Sequence, residues 1–340
     1  MADRAALIDA FLARAGWGAA ERLPLAGDAS NRRYLRLRRA EGTAVLMDAP
    51  PDRGEDVGPF LVIAAHIRAI GLSPPAVLAA DRGAGLLLLE DLGDRIFARV
   101  VASDPGIEPQ LYAAATDTLA ALHRHPPPQD VPVYGPRSMT RLAALAYDWY
   151  RRGARGTASE TEKSAFCAET EALLAALAPE TTVLALRDFH AENLVWLPDR
   201  QGAARVGLLD FQDAAAGHPA YDLVSLLKDA RRDLAPGLEQ EMIDRFLSRS
   251  GVDPDRFAAA YAALGAQRNL RILGVFARLS MHFGKPHYVD LIPRVWAHLT
   301  ASLRHSALAP LARRVADDLP EPTPDILASL KEQCATVPTP

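Results

Sequence analysis

The sequence predicts an α+β protein in which a small β-rich lobe of about 90 residues precedes a larger helical lobe. Three observations carry this. Residues 34–38 and 43–47 alternate apolar and polar side chains around Glu41-Gly42, as the two arms of a hairpin do. From 108 onward most segments are Ala- and Leu-rich with helical spacing. The exception is 183–212, where short apolar runs alternate with turns.

Taken in order, Leu7, Ile8, Phe11 and Leu12 give a first helix over 3–15, stopped by Gly16 and Gly18. Pro24 and the turn-rich run Gly27-Asp28-Ala29-Ser30-Asn31 then head the hairpin. Pro50-Pro51 ends it, and Phe60, Ile63, Ala64 and Ile67 form one face of a helix over 58–70. Short strands are expected at 76–80 and 86–89, the second running into Glu90-Asp91-Leu92-Gly93. Helices are expected at 108–124, 138–152, 160–177, 219–232, 237–249, 254–283 and 288–303. The five prolines of 320–340 predict a loosely packed tail.

Composition removes several classes of function. A chain of 340 residues, 49% hydrophobic and with net charge −4, has an ordinary core and lacks the basic excess of a nucleic-acid binder. No apolar run approaches a membrane span, and the first residues lack the apolar region of a secretory signal. The expectation is a cytoplasmic protein that engages neither nucleic acid nor membrane. Cys167 and Cys334 belong to no paired motif, so neither a disulfide framework nor a structural zinc site is expected. Oligomeric state is not legible.

The chemistry concentrates in Leu186-Arg187-Asp188-Phe189-His190-Ala191-Glu192-Asn193 and, after a turn, Val206-Gly207-Leu208-Leu209-Asp210-Phe211-Gln212-Asp213. Antiparallel pairing of 194–197 with 206–209 brings Asn193 and Asp210 to one end of a second hairpin. Their oxygens suit a hard divalent cation such as Mg²⁺, and Asp188 suits a base for a hydroxyl. His190 and His218 match no common zinc spacing and read better as structural turn residues. Asp222 reads as a buried brace for the Asp188 loop.

The order Asp188, Asn193, Asp210 resembles the catalytic loop and metal-binding aspartate of the protein-kinase-like fold, in its aminoglycoside-phosphotransferase branch. Leu87–Gly93 is similar to that branch's hinge, Leu119–His123 to its helix before the catalytic region, and Gly217–Leu223 to the segment after the metal aspartate. The resemblance implies a bilobal architecture. An antiparallel-sheet N-lobe (1–92) would cover the nucleotide, and a helical C-lobe (93–320) would hold the catalytic loop and acceptor site, with 321–340 as the tail. It also implies ATP and Mg²⁺ as cofactors, Asp188 as the catalytic residue, Asn193 and Asp210 on the metal, and Glu90 and Leu92 at the adenine.

Four further segments narrow the likeness: Asp28-Ala29-Ser30-x-Arg32-Arg33-Tyr34, Met47-Asp48-Ala49-Pro50-Pro51, Asp210-Phe211-Gln212-Asp213-Ala214 and Gln267-Arg268-Asn269-Leu270-Arg271-Ile272-Leu273-Gly274. They resemble the bacterial cell-wall sugar kinases that phosphorylate the anomeric hydroxyl of N-acetylmuramate and N-acetylglucosamine. That implies a small amino-sugar acceptor contacted by His190, Glu192, Asp213 and Arg271. An aminoglycoside or choline-type acceptor is the alternative within the branch.

Two departures matter. Residues 1–162 contain no lysine, although kinases hold the α- and β-phosphates with a strand lysine, here near Met47. Leu186 stands where many kinases have histidine. A nucleotide-binding pseudokinase is one reading. The other keeps an active enzyme in which Ser30 and Asn31 of the loop and Arg33 or Arg36 on the strand hold the phosphates, since guanidinium binds phosphate bidentately. The complete Asp188, Asn193, Asp210 set favours the active enzyme.

Overall fold

A computed structural model describes residues 4–25, 31–157 and 159–338. The chain divides into two compact units. The first comprises Met1–Leu122 and Ala191–Ala214; the second comprises His123–His190 and Ala215–Pro340. The hairpin bearing Asn193 and Asp210 therefore belongs with the amino-terminal sheet, although it lies well past residue 92.

In the first unit, β1 (Glu21–Pro24), β2 (Arg33–Arg39), β3 (Gly42–Asp48), β4 (Val77–Asp81) and β5 (Leu86–Glu90) form one antiparallel sheet in the order β1-β2-β3-β5-β4. Strand periodicity gives it two functional faces. Leu35 and Leu37, Ala44 and Leu46, and Leu86 and Leu88 pack with Phe11, Leu12 and Trp17, from helix α1 (Arg4–Arg14) and the turn after it. Each fully buried side chain of this kind contributes about 1.5–3 kcal/mol. The alternate residues Tyr34, Arg36, Val45 and Leu89 line a cavity on the other face, which Phe60 of helix α2 (Gly58–Ala69) also lines. Helices α3 (Phe97–Ser103) and α4 (Glu108–Leu122) complete the unit with the second hairpin.

Strand β1 and helix α3 were not expected. β1 is an edge strand of four largely exposed residues ending in proline, too short and too polar to show a period. The Gly27–Ser30 part of the expected nucleotide loop, Ser30 included, lies outside the described residues.

The second unit is built around a 28-residue helix, Pro254–Met281, about 42 Å long at 1.5 Å per residue. Pro254 starts it and the Asp253 side chain caps the Arg256 N–H at 2.9 Å. Gly274 lets this helix touch the backbone of Leu145 and Ala146; an added Cβ would sit 2.2 Å from the Leu145 carbonyl carbon. The expected helix 138–152 forms as Pro136–Ala143 running through helical Ala144 and Leu145 into a π-helical segment, Ala146–Arg151. Glu160–Leu177 opens on Ser159, whose hydroxyl accepts from the Glu162 N–H as in a capping box.

Two expectations fail here. The helix expected over 219–232 ends at Leu227, where the chain turns so that Asp229 accepts the Arg231 N–H. The tail is not loose: Pro324–Glu332 is a helix, Leu330 is buried, and Val337 N–H donates to the Met281 carbonyl at 3.0 Å. Pro324 starts a helix, where a missing N–H costs nothing. Among the described residues no helix is long and apolar enough to cross a membrane.

Candidate active site

In the first unit, Leu194 pairs with Leu208, Val195 with Gly207 and Trp196 with Val206. The Leu209 N–H donates to the Asn193 carbonyl at 2.9 Å, so Asn193 and Asp210 share one end of the hairpin, as the sequence predicts. Asp210 has a left-handed backbone (φ 56°), uncommon for a residue with a side chain. Two contacts hold it there: Gln212 Nε2 donates to Asp210 Oδ1 at 2.8 Å, and buried Phe211 stacks on Phe60 with centroids 4.8 Å apart.

Asn193 and Asp210 line a cavity of about 320 Å³ with Arg32, Arg36, Val45, Leu89 and Leu92. Glu90 lines it too, yet its carboxylate is engaged, by Arg200 at 2.6 Å and by the Ala76 N–H at 3.1 Å. The Leu92 side chain abuts Gly207, where an added Cβ would come within 2.9 Å of it.

The arginines divide clearly. Arg36 faces the cavity and is held by Asp91 at 2.8 Å and Asp94 at 2.7 Å. Asp94 chiefly, with Asp91, keeps its guanidinium above the ordinary range. Arg33 is exposed, opposite Asp48 in the sheet register. Arg32, which precedes the strand and shares the guanidinium chemistry of Arg33 and Arg36, also lines the cavity and pairs with Glu55 at 3.4 Å. Asn31 is exposed and bonds Glu55 and the Arg53 carbonyl.

Among the described residues no three His, Cys, Asp or Glu side chains cluster as a metal site. The donor set is the Asn193 and Asp210 oxygens. That set fits Mg²⁺, which takes one or two protein oxygens and completes its shell with phosphates and water.

In the second unit, Asp188 follows Arg187, whose backbone is left-handed (φ 73°). Buried Asp222 holds this turn, accepting the Leu186 N–H at 2.6 Å and the Arg187 N–H at 2.8 Å. Burial pushes the Asp222 carboxyl up to about 7, and the two amide bonds oppose that rise. Asp222 is thus the brace that the sequence suggests.

Asp188 lines a cavity of about 110 Å³ with His190, Asp229, Arg231, Arg268 and Arg271. Burial pushes the His190 imidazole down to about 4, so it is neutral at pH 7. Arg271 donates to the Tyr221 hydroxyl at 3.3 Å; that hydroxyl lies 3.2 Å from Tyr134's. Asp229 and Arg268 were not singled out for this site. They lie far along the chain from Asp188; Arg268 stands in the Gln267–Gly274 segment, where Arg271 is the residue the sequence points to, and no local motif announces Asp229. Glu192 and Asp213 are exposed residues of the first unit.

An antiparallel five-stranded sheet with a nucleotide-sized cavity, and a helical unit bearing a braced aspartate, define a phosphotransferase of the kinase-like class. The chain belongs to the phosphotransferase enzyme family, whose sequence profile matches residues 21–261. It is 40% identical to the N-acetylmuramate/N-acetylglucosamine kinase of Caulobacter vibrioides, over 91% of this chain and 95% of that one. To the enzyme of the same name from Pseudomonas aeruginosa it is 33% identical, over 88% and 90%. The choline/ethanolamine kinase family protein of Mesorhizobium loti shares the fold, with TM-score 0.54, 16% identity and coverage of 97% and 100%.

Proposed function

We propose that this protein is an ATP-dependent kinase that phosphorylates the anomeric hydroxyl of N-acetylmuramate and N-acetylglucosamine in cytoplasmic cell-wall sugar recycling. The observation that carries the acceptor class is the charge of the Asp188 cavity. Three guanidiniums against two carboxylates, with His190 neutral, leave one positive charge uncompensated. A polycationic aminoglycoside is repelled by such a wall, whereas a neutral or anionic sugar is not. The names of the curated relatives point the same way.

In this reading Asp188 orients the sugar hydroxyl and accepts its proton as the oxygen attacks the γ-phosphorus. The bond between that phosphorus and the β-bridging oxygen breaks, and ADP leaves. Asn193 and Asp210 would hold Mg²⁺, which when bound neutralises phosphate charge. The hinge backbone from Glu90 to Leu92 takes adenine. Arg271 and His190 border the sugar, and Glu192 and Asp213 are assigned to contact it. Functionally, 1–92 covers the nucleotide, 93–320 holds the catalytic loop and acceptor, and 321–340 packs as a tail.

Arg36 is assigned the phosphate role of the missing lysine, because it faces the cavity and its partner Asp94 is 63% exposed and displaceable. Arg36→Ala is expected to raise the ATP KM or cut kcat by ~10-fold or more, the scale of a charged hydrogen bond. Arg33→Ala is expected to change either by less than ~2-fold, the size of an ordinary surface substitution. Equal losses in the two variants would remove the assignment.

The direct test is ATP consumption with N-acetylmuramate, N-acetylglucosamine, kanamycin and choline, and phosphorus–carbon coupling in the product to locate the phosphate on C1. Turnover of the two amino sugars alone is expected. Robust kanamycin turnover without either sugar would transfer the enzyme to the aminoglycoside reading. Nucleotide binding without any turnover would make it a pseudokinase.

A further inference from the structure

The two sugars of the proposed reaction differ by one group, the lactyl carboxylate of N-acetylmuramate. Resting on that reading, we propose that Arg268 is the residue that recognises this carboxylate, with Asp229 beside it accepting a hydroxyl or N–H of the same sugar.

Arg268 lies on the helix Pro254–Met281 and lines the Asp188 cavity, yet it is only 4% exposed. Its Nε and Nη1 are buried without a hydrogen-bond partner, and it makes no ion pair among the described residues. Buried guanidinium donors left unsatisfied are costly, and a carboxylate offers such a donor a charge-assisted hydrogen bond. Arg271, the other helical arginine in this wall, is already committed to the Tyr221 hydroxyl at 3.3 Å. Arg231 is committed to Asp229 Oδ1 at 3.5 Å.

Asp229 supplies the complement. It is 2% exposed, and its Oδ1 also accepts the Arg231 N–H at 3.1 Å. Its Oδ2 is buried and unpartnered. Two residues of one cavity wall therefore carry unfilled donors and an unfilled acceptor. The cavity is small, about 110 Å³. The uncompensated positive charge matches a monoanion.

The test compares kcat/KM for N-acetylmuramate and N-acetylglucosamine in the wild type, Arg268→Gln and Arg268→Lys. In Arg268→Gln the ratio of the two values should fall ~10- to 100-fold, mainly through the KM of the carboxylate-bearing sugar, as for a lost charge-assisted hydrogen bond. Arg268→Lys should lose less, because it keeps the charge and the apolar stem but not the planar fork. If Arg268→Gln does not fold, the lysine variant carries the test, with an expected fall in the ratio of ~3- to 10-fold. An unchanged ratio, whether or not both activities drop together, makes Arg268 a structural residue and overturns the inference. A wild type that turns over neither sugar overturns the underlying reading instead, a result visible before any variant is made.

Discussion

Asp188→Asn is expected to lower turnover by at least ~10²-fold while leaving nucleotide affinity within about a factor of two. The substitution keeps the size and one acceptor oxygen of the side chain but removes its ability to take a proton. The geometry around it makes the comparison clean. The peptide before Asp188 is fixed by Asp222, which accepts both preceding N–H groups, and the Ser225 hydroxyl donates to the Arg187 carbonyl at 3.3 Å. A left-handed residue held on both sides in this way does not relax when its neighbour loses a charge. Asp188 is not among the residues lining the cavity of about 320 Å³ in the first unit. Steady-state kcat with the amino sugars, alongside calorimetric titration of ATP, separates the two quantities. Near-normal turnover would remove Asp188 from the catalytic role.

Much of this fold is legible in the sequence wherever one periodicity runs long enough. The hairpin around Gly42, the helix after Pro50-Pro51 and the long helix from Pro254 each carry several apolar residues on one face, and each forms with shifted ends at most. What escapes is short or set by distant contacts. Val183–Ala185 and Ala215–Gly217 pair as three-residue strands of mostly small side chains, too brief to show alternation. The π-helical segment from Ala146 begins where Gly274 brings a second helix backbone close, a tertiary contact that local propensity does not contain. The tail misleads because proline density reads as disorder, whereas Leu319 and Leu330 are buried.

The site divides in the same way. Asp188, Asn193 and Asp210 lie in one linear segment, and the hairpin between the latter two is short enough for its register to follow from its residues. Alternation along β2 also separates Arg36 from Leu35 and Leu37. Its ion pairs with Asp91 and Asp94 depend on β3 lying between β2 and β5, which the linear sequence does not state. The acceptor wall is less legible still. Asp229 arises where a helix stops early, and Arg268 looks like any arginine of a long helix until its burial is known.

The second large effect is expected at Asp210. Asp210→Ala should abolish metal-dependent nucleotide binding, and the wild type should lose all turnover in excess EDTA and regain it with Mg²⁺ or Mn²⁺. Asn193 and Asp210 supply oxygen only, a donor set that suits hard cations and gives zinc none of its nitrogen or sulfur ligands. Asn193 is neutral, so Asp210 carries the full negative charge that the pair offers a cation. Alanine leaves one neutral amide, too little to compete with water for a divalent ion. The Gln212 side chain, which donates to Asp210 Oδ1 at 2.8 Å, would lose its partner, so Asp210→Asn is the informative companion: it keeps an oxygen for Gln212 but loses the charge. If charge on the metal is what matters, both variants fail alike in a Mg²⁺-dependent nucleotide titration while their melting temperatures differ. Full wild-type activity in EDTA would remove the metal from the mechanism, and a functional Asp210→Asn would move the cation away from this carboxylate.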